Sequence, residues 1–122
     1  MNQKSLTVLN LITGAAAITT TTTHTGLDLS AYAVKREMKA VLGIGAVAGT
    51  TPSITVKVQD SPDNSTYTDV SGAAFTAVTT NGAAAQLHFQ TIQRYVRAVT
   101  TFTANTTQAL PICTLLVEQR VS

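Results

Sequence analysis

Between residues 54 and 59 apolar and polar side chains alternate without a break: Ile54, Val56 and Val58 fall on one side, Thr55, Lys57 and Gln59 on the other. A period of two marks a strand with one face in a core and the other in water. Residues 60–65 then read Asp-Ser-Pro-Asp-Asn-Ser. Proline presets φ and Asp or Asn bonds to nearby backbone, so a turn is predicted, with residues 66–70 returning as the partner strand. The same period sets Met38, Ala40, Leu42, Ile44 and Ala46 on one face of a strand that opens with Lys35, Arg36 and Glu37. Gly43 and Gly45 on its other face predict a bulge or a close backbone approach. A short helix over residues 31–40 competes with the start of this strand.

Further along, residues 74–79 predict a short strand, and Asn81-Gly82 is the dipeptide favoured in tight hairpin turns. Leu87 and Phe89 point inward between Gln86, His88 and Gln90, and residues 94–102 form the next strand. A polar loop over 103–108 leads to a last strand over 110–118, apolar on both faces: Ile112 and Leu116 on one, Cys113, Leu115 and Val117 on the other. Such a strand is central or covered by a partner. At the other end of the chain, residues 6–12 are apolar and 19–23 are consecutive threonines. β-branched residues favour the extended backbone, which predicts an N-terminal arm that stays ordered only where a sheet edge or a neighbouring subunit holds it. Residues 26–32 connect this arm to the rest, anchored by Leu27, Leu29 and Tyr32. About eight strands at this spacing predict an all-β antiparallel sandwich or barrel. The expected organisation is an arm with first strands over 1–26 and a β-sandwich domain over 27–122.

Composition sharpens the picture. At 122 residues the chain suits one domain, with 44% hydrophobic and only 11% charged residues, and a chain of this size buries roughly two-thirds of the surface its unfolded form exposes. Threonine fills about a fifth of the sequence, several times its ordinary share. The surface is therefore built from neutral polar side chains. A net charge of +2, from basic residues spread along the chain without a stripe or stacking aromatics, argues against nucleic-acid binding. The apolar stretch after Met1-Asn2-Gln3-Lys4 is too short for a signal peptide, and no run approaches the ~20 apolar residues that span a bilayer. No membrane contact is expected, and the chain is expected to be assembled in a reducing cytoplasm.

Candidate chemistry is sparse. Cys113 is the single cysteine; its apolar neighbours predict a buried, inert thiol, and it has no intramolecular disulfide partner. His24 and His88 are too isolated for a zinc site, which needs three or four ligands, so no metal or cofactor is expected. Asp60, Asp63 and Asp69 flank one turn and offer oxygen ligands of the kind calcium takes. They lack the spacing of a calcium loop, and turn capping is the stronger reading. No Gly-x-Ser-x-Gly elbow or carboxylate pair suggests an enzyme, and no catalytic residue or small-molecule substrate is assigned. Asn64-Ser65-Thr66 and Asn105-Thr106-Thr107 match the glycosylation pattern, which recurs by chance. Arg94 and Arg97 fall on opposite faces of one strand. Arg97 shares its face with Tyr95 and Val99, suited to stacking on a ring or pairing with an acid of a neighbouring subunit; the alternative is an arginine lying along its own sheet.

The run Ile54-Thr55-Val56-Lys57-Val58-Gln59-Asp60-Ser61, then Asp63, Tyr67, Asp69-Val70, Phe75-Thr76 and Arg94-Tyr95-Val96-Arg97-Ala98, resembles small virion structural proteins of tailed bacteriophages, which include capsid decoration, cement and other head-associated proteins. The likeness covers residues 27–120. It departs from the commoner pattern in having Tyr67 where Trp is frequent and in carrying the threonine tract. The resemblance implies a jelly-roll-like sandwich on the capsid surface, bound to the major capsid protein, self-associated as a homotrimer and stabilising the head. On that reading the partner interface is Leu6, Val8, Leu9, Leu11 and Ile12, and the self-interface involves Arg94, Tyr95 and Arg97. Two alternatives remain open: a carbohydrate-binding sandwich on the virion surface, for which exposed aromatic platforms are few, and a tail or neck component.

Overall fold

A computed structural model describes residues 3–12, 17–30, 36–91, 93–103 and 106–121. The architecture is an all-β, jelly-roll-like sandwich of two antiparallel sheets. Its strands are β1 (Gln3–Ile12), β2 (Thr22–Thr23), β3 (Leu27–Asp28), β4 (Arg36–Gly49), β5 (Ile54–Ser61), β6 (Thr68–Ala74), β7 (Ala83–Thr91), β8 (Tyr95–Phe102) and β9 (Thr106–Val121). One sheet has four strands in the order β1-β9-β4-β7; the other has five, in the order β2-β8-β5-β6, with β3 also on β8. Among the described residues no helix is long and apolar enough to cross a membrane.

The period-two alternation sets the core. Met38, Ala40, Leu42 and Ile44 of β4 meet Cys113, Leu115 and Val117 of β9 on the inner face of the four-stranded sheet, and they pack against Ile54, Val56, Val58, Val96 and Ala98 of the other. Burying such side chains contributes about 1.5–3 kcal/mol each for the larger ones, which makes this layer the main source of stability. β9 is central, flanked by β1 on one side and β4 on the other. The competing helix is not formed where the chain is described, since residues 36–40 lie in β4; residues 31–35, including the expected anchor Tyr32, fall outside the described residues.

Three expectations are corrected. Asn81-Gly82 does not close a hairpin. It turns the corner from the five-stranded to the four-stranded sheet: the Val47 N–H donates to Asn81 Oδ1 (2.8 Å) and the Gly82 N–H to the Ile44 carbonyl (2.7 Å), both groups of β4. Gly82 has φ +74°, a conformation glycine adopts without a Cβ penalty. Residues 74–79 are not a strand in their own right. β6 ends at Ala74, and the chain beyond it stays on β5 through the Phe75 N–H to the Val56 carbonyl (2.9 Å) and an isolated bridge from Val78 to Ile54. The loop expected over 103–108 is shorter, because β9 begins at Thr106.

The described residues of the N-terminal segment pack on the sandwich. β1 pairs with β9 from Gln3↔Val121 to Ile12↔Cys113, and Leu11 and Ile12 belong to the common core. Beyond it Ile18 bridges to Ala109, and the threonine tract lies along β8, where Thr22 and Thr23 pair with Thr100 and Val99. The tract is extended because β8 offers it an edge.

Candidate interaction surfaces

The turn after β5 is built by its own polar residues. Ser61, fully buried, accepts from the Asp63 and Asn64 N–H groups (3.2 and 3.0 Å) and donates to Asp63 Oδ1. Asp63 Oδ1 in turn accepts from the N–H groups of Ser65 and Thr66 (2.9 and 3.0 Å). Those donors, the Thr66 bond foremost, hold the Asp63 carboxyl below its ordinary value. Asn64 takes φ +62°, which Asn tolerates better than most residues. Asp60 accepts from the Thr91 hydroxyl at 2.6 Å, tying β5 of one sheet to β7 of the other. The three aspartates are thus engaged in turn, strand and ion-pair contacts, and among the described residues no group of three His, Cys, Asp or Glu is placed to hold a metal ion.

The hairpin opens onto the outer face of the five-stranded sheet. The register sets Gln59 between Asp69 of β6 and Arg97 of β8. Arg97 Nε donates to Gln59 Oε1 (2.9 Å), Gln59 Nε2 donates to Asp69 Oδ1 (2.9 Å), and Lys57 Nζ pairs with the same carboxylate at 3.1 Å. Gln59 first and Lys57 second hold the Asp69 carboxyl below its usual range. The Arg97 guanidinium lies 3.8 Å from the centroid of Tyr67, covering one face of that ring. The Tyr67 hydroxyl bonds to Asn64 Oδ1 and sits against Gly26, where a Cβ would run into it. Desolvation pushes the Tyr67 phenol up.

Arg94 stands at the start of this strand and forms a two-pronged pair with Asp28 of β3, Nε to Oδ1 at 3.0 Å and Nη2 to Oδ2 at 2.9 Å. It also lies 5.0 Å from the Tyr95 ring centroid. The Arg94 bonds, followed by the Ser30 N–H, hold the Asp28 carboxyl well below the usual carboxylate range. Arg94 thus lies against Asp28 and Tyr95, and Arg97 separately against Gln59 and Tyr67, so both arginines are engaged inside their own chain. Sequence reasoning had no partner for either. Asp28 is 66 residues from Arg94, and only the β3–β8 register joins them.

The outer face of the four-stranded sheet is different in kind. Val8 is 59% exposed and Ile112 42%. Leu110, Leu116 and Val41 lie on the same side, partly buried, with Lys39, Thr114 and His88 among them. Of the residues expected at a partner interface, Val8 presents open surface, Leu9 packs partly against the core, and Leu11 and Ile12 are buried in it. Leu6 is set in β1 opposite Glu118. At the β7 edge a depression of about 370 Å³ is lined by Met38, His88, Phe89 and Gln90.

Cys113 lies in the core and His24 is half-buried. His24 Nε2 shares a hydrogen bond with the buried Thr100 hydroxyl (3.0 Å), and burial lowers the His24 pKa. Cys113 is buried, and desolvation pushes its thiol up to about 12, the inert form expected of it.

No family model and no curated protein matches the chain. Similarity to solved structures is one of shape. A chain in the structure of infectious bursal disease virus, Gx strain, superposes with TM-score 0.57 at 11% identity, over 95% of this chain and 32% of that one. The chain thus spans about a third of the viral protein's length. The SPBc2 prophage-derived protein YomS gives TM-score 0.49 at 12% identity, covering 94% of this chain and 95% of that one. A chain of the Bacillus endospore appendage pili gives 0.41 at 15%, covering 100% and 88%. At such identities the viral likeness is one of fold.

Proposed function

We propose that this chain is a non-enzymatic structural protein of a tailed-phage virion, a decoration or cement protein that binds the major capsid protein lattice and stabilises the head. The observation that carries the reading is the division of labour on the surface. The polar side chains of the five-stranded sheet close on one another and converge on no cleft, while the four-stranded sheet ends in a ten-residue edge strand, β1, with Val8 exposed. An edge strand carries a row of backbone donors and acceptors that another chain can pair with. Capsid contact through β1 would then join backbone pairing to burial of Val8. The sandwich also occurs in a virus structure, and the sequence pattern around residues 54–70 and 94–98 resembles head-associated phage proteins; both support the reading.

The mechanism is mass action: a protein that binds the assembled shell and not its dissociated subunits stabilises the shell by an amount set by its concentration and affinity. The test compares the rupture temperature of particles with and without the chain. A raised temperature is expected, reduced by Val8→Asp; an unchanged temperature removes the cementing role. An image of the particle that puts the chain at the neck or tail instead of the head would move it to that part of the virion.

A further inference from the structure

Asn81-Gly82 closes the corner between the two sheets, and the same dipeptide carries a reaction of its own. The chain has five asparagines, Asn2, Asn10, Asn64, Asn81 and Asn105, and only Asn81 is followed by glycine. The side-chain amide of an asparagine is open to attack by the backbone nitrogen of the next residue. A side chain on that residue shields the nitrogen, and glycine has none. Asn81 and Gly82 are both exposed, so water reaches the pair. The folded corner nevertheless restrains both reacting groups. The Asn81 side-chain oxygen accepts from the Val47 N–H at 2.8 Å, and the Gly82 N–H donates to the Ile44 carbonyl at 2.7 Å. These anchors lie where β4 is irregular: its ladder with β7 ends at Ile44↔Ala83, and its register with β9 shifts between Ile44 and Val47. The dipeptide takes up a donor and an acceptor of β4 at the end of that ladder.

We infer that Asn81 is a site of spontaneous deamidation, and that the corner confines the reaction to molecules in which it has opened. The Gly82 nitrogen forms a bond to Asn81 Cγ and gives up its proton, the Cγ–Nδ2 bond breaks, and ammonia departs to leave a five-membered succinimide. Water then adds to one of the two ring carbonyls and breaks the bond from that carbon to the ring nitrogen. The product is aspartate or, with the main chain rerouted through the side chain, isoaspartate. No electrons are exchanged, and water is the one co-reactant. In the closed corner the Gly82 proton is held by a carbonyl, which is no base, and the bond to Val47 restrains rotation of the Asn81 side chain. The two products differ in fit. Aspartate keeps the backbone and offers the Val47 N–H an ionised acceptor, a stronger partner than an amide oxygen. Isoaspartate adds a methylene to the main chain between the Asn81 Cα and the Gly82 nitrogen, which takes the N–H away from Ile44 and leaves the corner without its closing bond.

The site stands on the corner alone and does not depend on the proposed virion role. To test it, the full chain is incubated at mildly alkaline pH in native buffer and in urea above its unfolding midpoint. Peptide mapping by mass spectrometry follows the gain of one mass unit at each asparagine. In urea Asn81 should deamidate ahead of the other four. In native buffer its rate should fall about tenfold or more, as for a group exposed only by local opening. Equal rates at Asn81 in the two conditions overturn the inference, as does a urea sample in which Asn81 reacts no faster than Asn64. Gly82→Ala, read in urea where backbone strain in the fold plays no part, should cost Asn81 its lead; a lead that persists also overturns it. The products supply a second readout. Asn81→Asp should keep the wild-type melting temperature, and the isoaspartyl form, purified from the aged urea sample and refolded, should melt lower. An isoaspartyl form as stable as Asn81→Asp overturns the role given to the Gly82–Ile44 bond.

Discussion

The two outer faces of the sandwich solve the same problem in opposite ways. On the five-stranded sheet every long polar side chain discussed above has a partner in its own chain: Arg97 has Gln59 and Tyr67, Asp69 has Gln59 and Lys57, Arg94 has Asp28. On the four-stranded sheet Ile112 and Val8 stand open to solvent. A side chain already satisfied within the fold gains little from a partner, whereas exposed apolar surface gains from any cover. Polar residues therefore mark the face that maintains the fold. The other face is the one that leaves large apolar side chains, Val8 and Ile112, in the open.

The comparison is broken most severely at Gly26. Gly26→Ala drives a Cβ into the Tyr67 hydroxyl and to 2.9 Å from Asn64 Oδ1, dislodging the ring on which Arg97 rests. A loss of about 1–3 kcal/mol is expected, as for other overpacked sites, read from the urea midpoint. An unchanged midpoint would mean that the tyrosine contact is not structural. Arg97→Ala should be milder, about 1 kcal/mol, since it removes one partly exposed hydrogen bond and a stacked cation. If the variant matches wild type, the ladder contributes nothing and the contrast between faces loses its energetic basis.

The carboxylates give a pH test of the same face. Asp28, Asp63 and Asp69 all have folded pKa values below their ordinary one. Their stabilisation is present above the unfolded value of about 3.9 and is lost as pH falls through the lower folded values. His24 adds a second window. Its folded pKa is lowered, so below about 6.5 the unfolded chain takes up a proton that the folded chain refuses, and stability declines as pH falls toward the folded value. Melting temperatures recorded from pH 7 to pH 3 should fall in both windows, and His24→Gln should flatten the upper one alone. The smallest effect is expected on the other face. Ile112→Thr should change monomer stability by no more than about 0.5 kcal/mol. A larger loss would make Ile112 part of the core and not of an outer surface.

Much of the fold was legible in the chain. The alternation of residues 54–59 gave both the strand and its buried side, and the two apolar faces of residues 112–117 signalled a central strand with an outer face to cover. Local chemistry failed where it had to name a partner. Asn81-Gly82 signals a tight turn, and Gly82 does adopt the positive φ that such turns use, but the dipeptide carries no information on which strands it connects. The threonine tract predicts extension without saying that β8 receives it. Asp28 with Arg94, and Gln59 with Arg97, are pairs made by register across the sheet, a long-range property that no window of sequence contains. The reading that set Leu6, Val8, Leu9, Leu11 and Ile12 together at a partner interface came with the phage likeness and took no account of which strand β1 would join. Pairing of β1 with β9 turns Leu11 and Ile12 into the core instead.

The seclusion of Cys113 has a practical corollary. Its sulfur sits on the central strand β9 between β1 and β4, with no surface of its own and a thiol slow to ionise. A maleimide can reach it only when the layers part, and the chain has no second thiol to confuse the signal. The rate of labelling in native buffer therefore counts opening events of the molecule, giving this protein a built-in clock for its own unfolding.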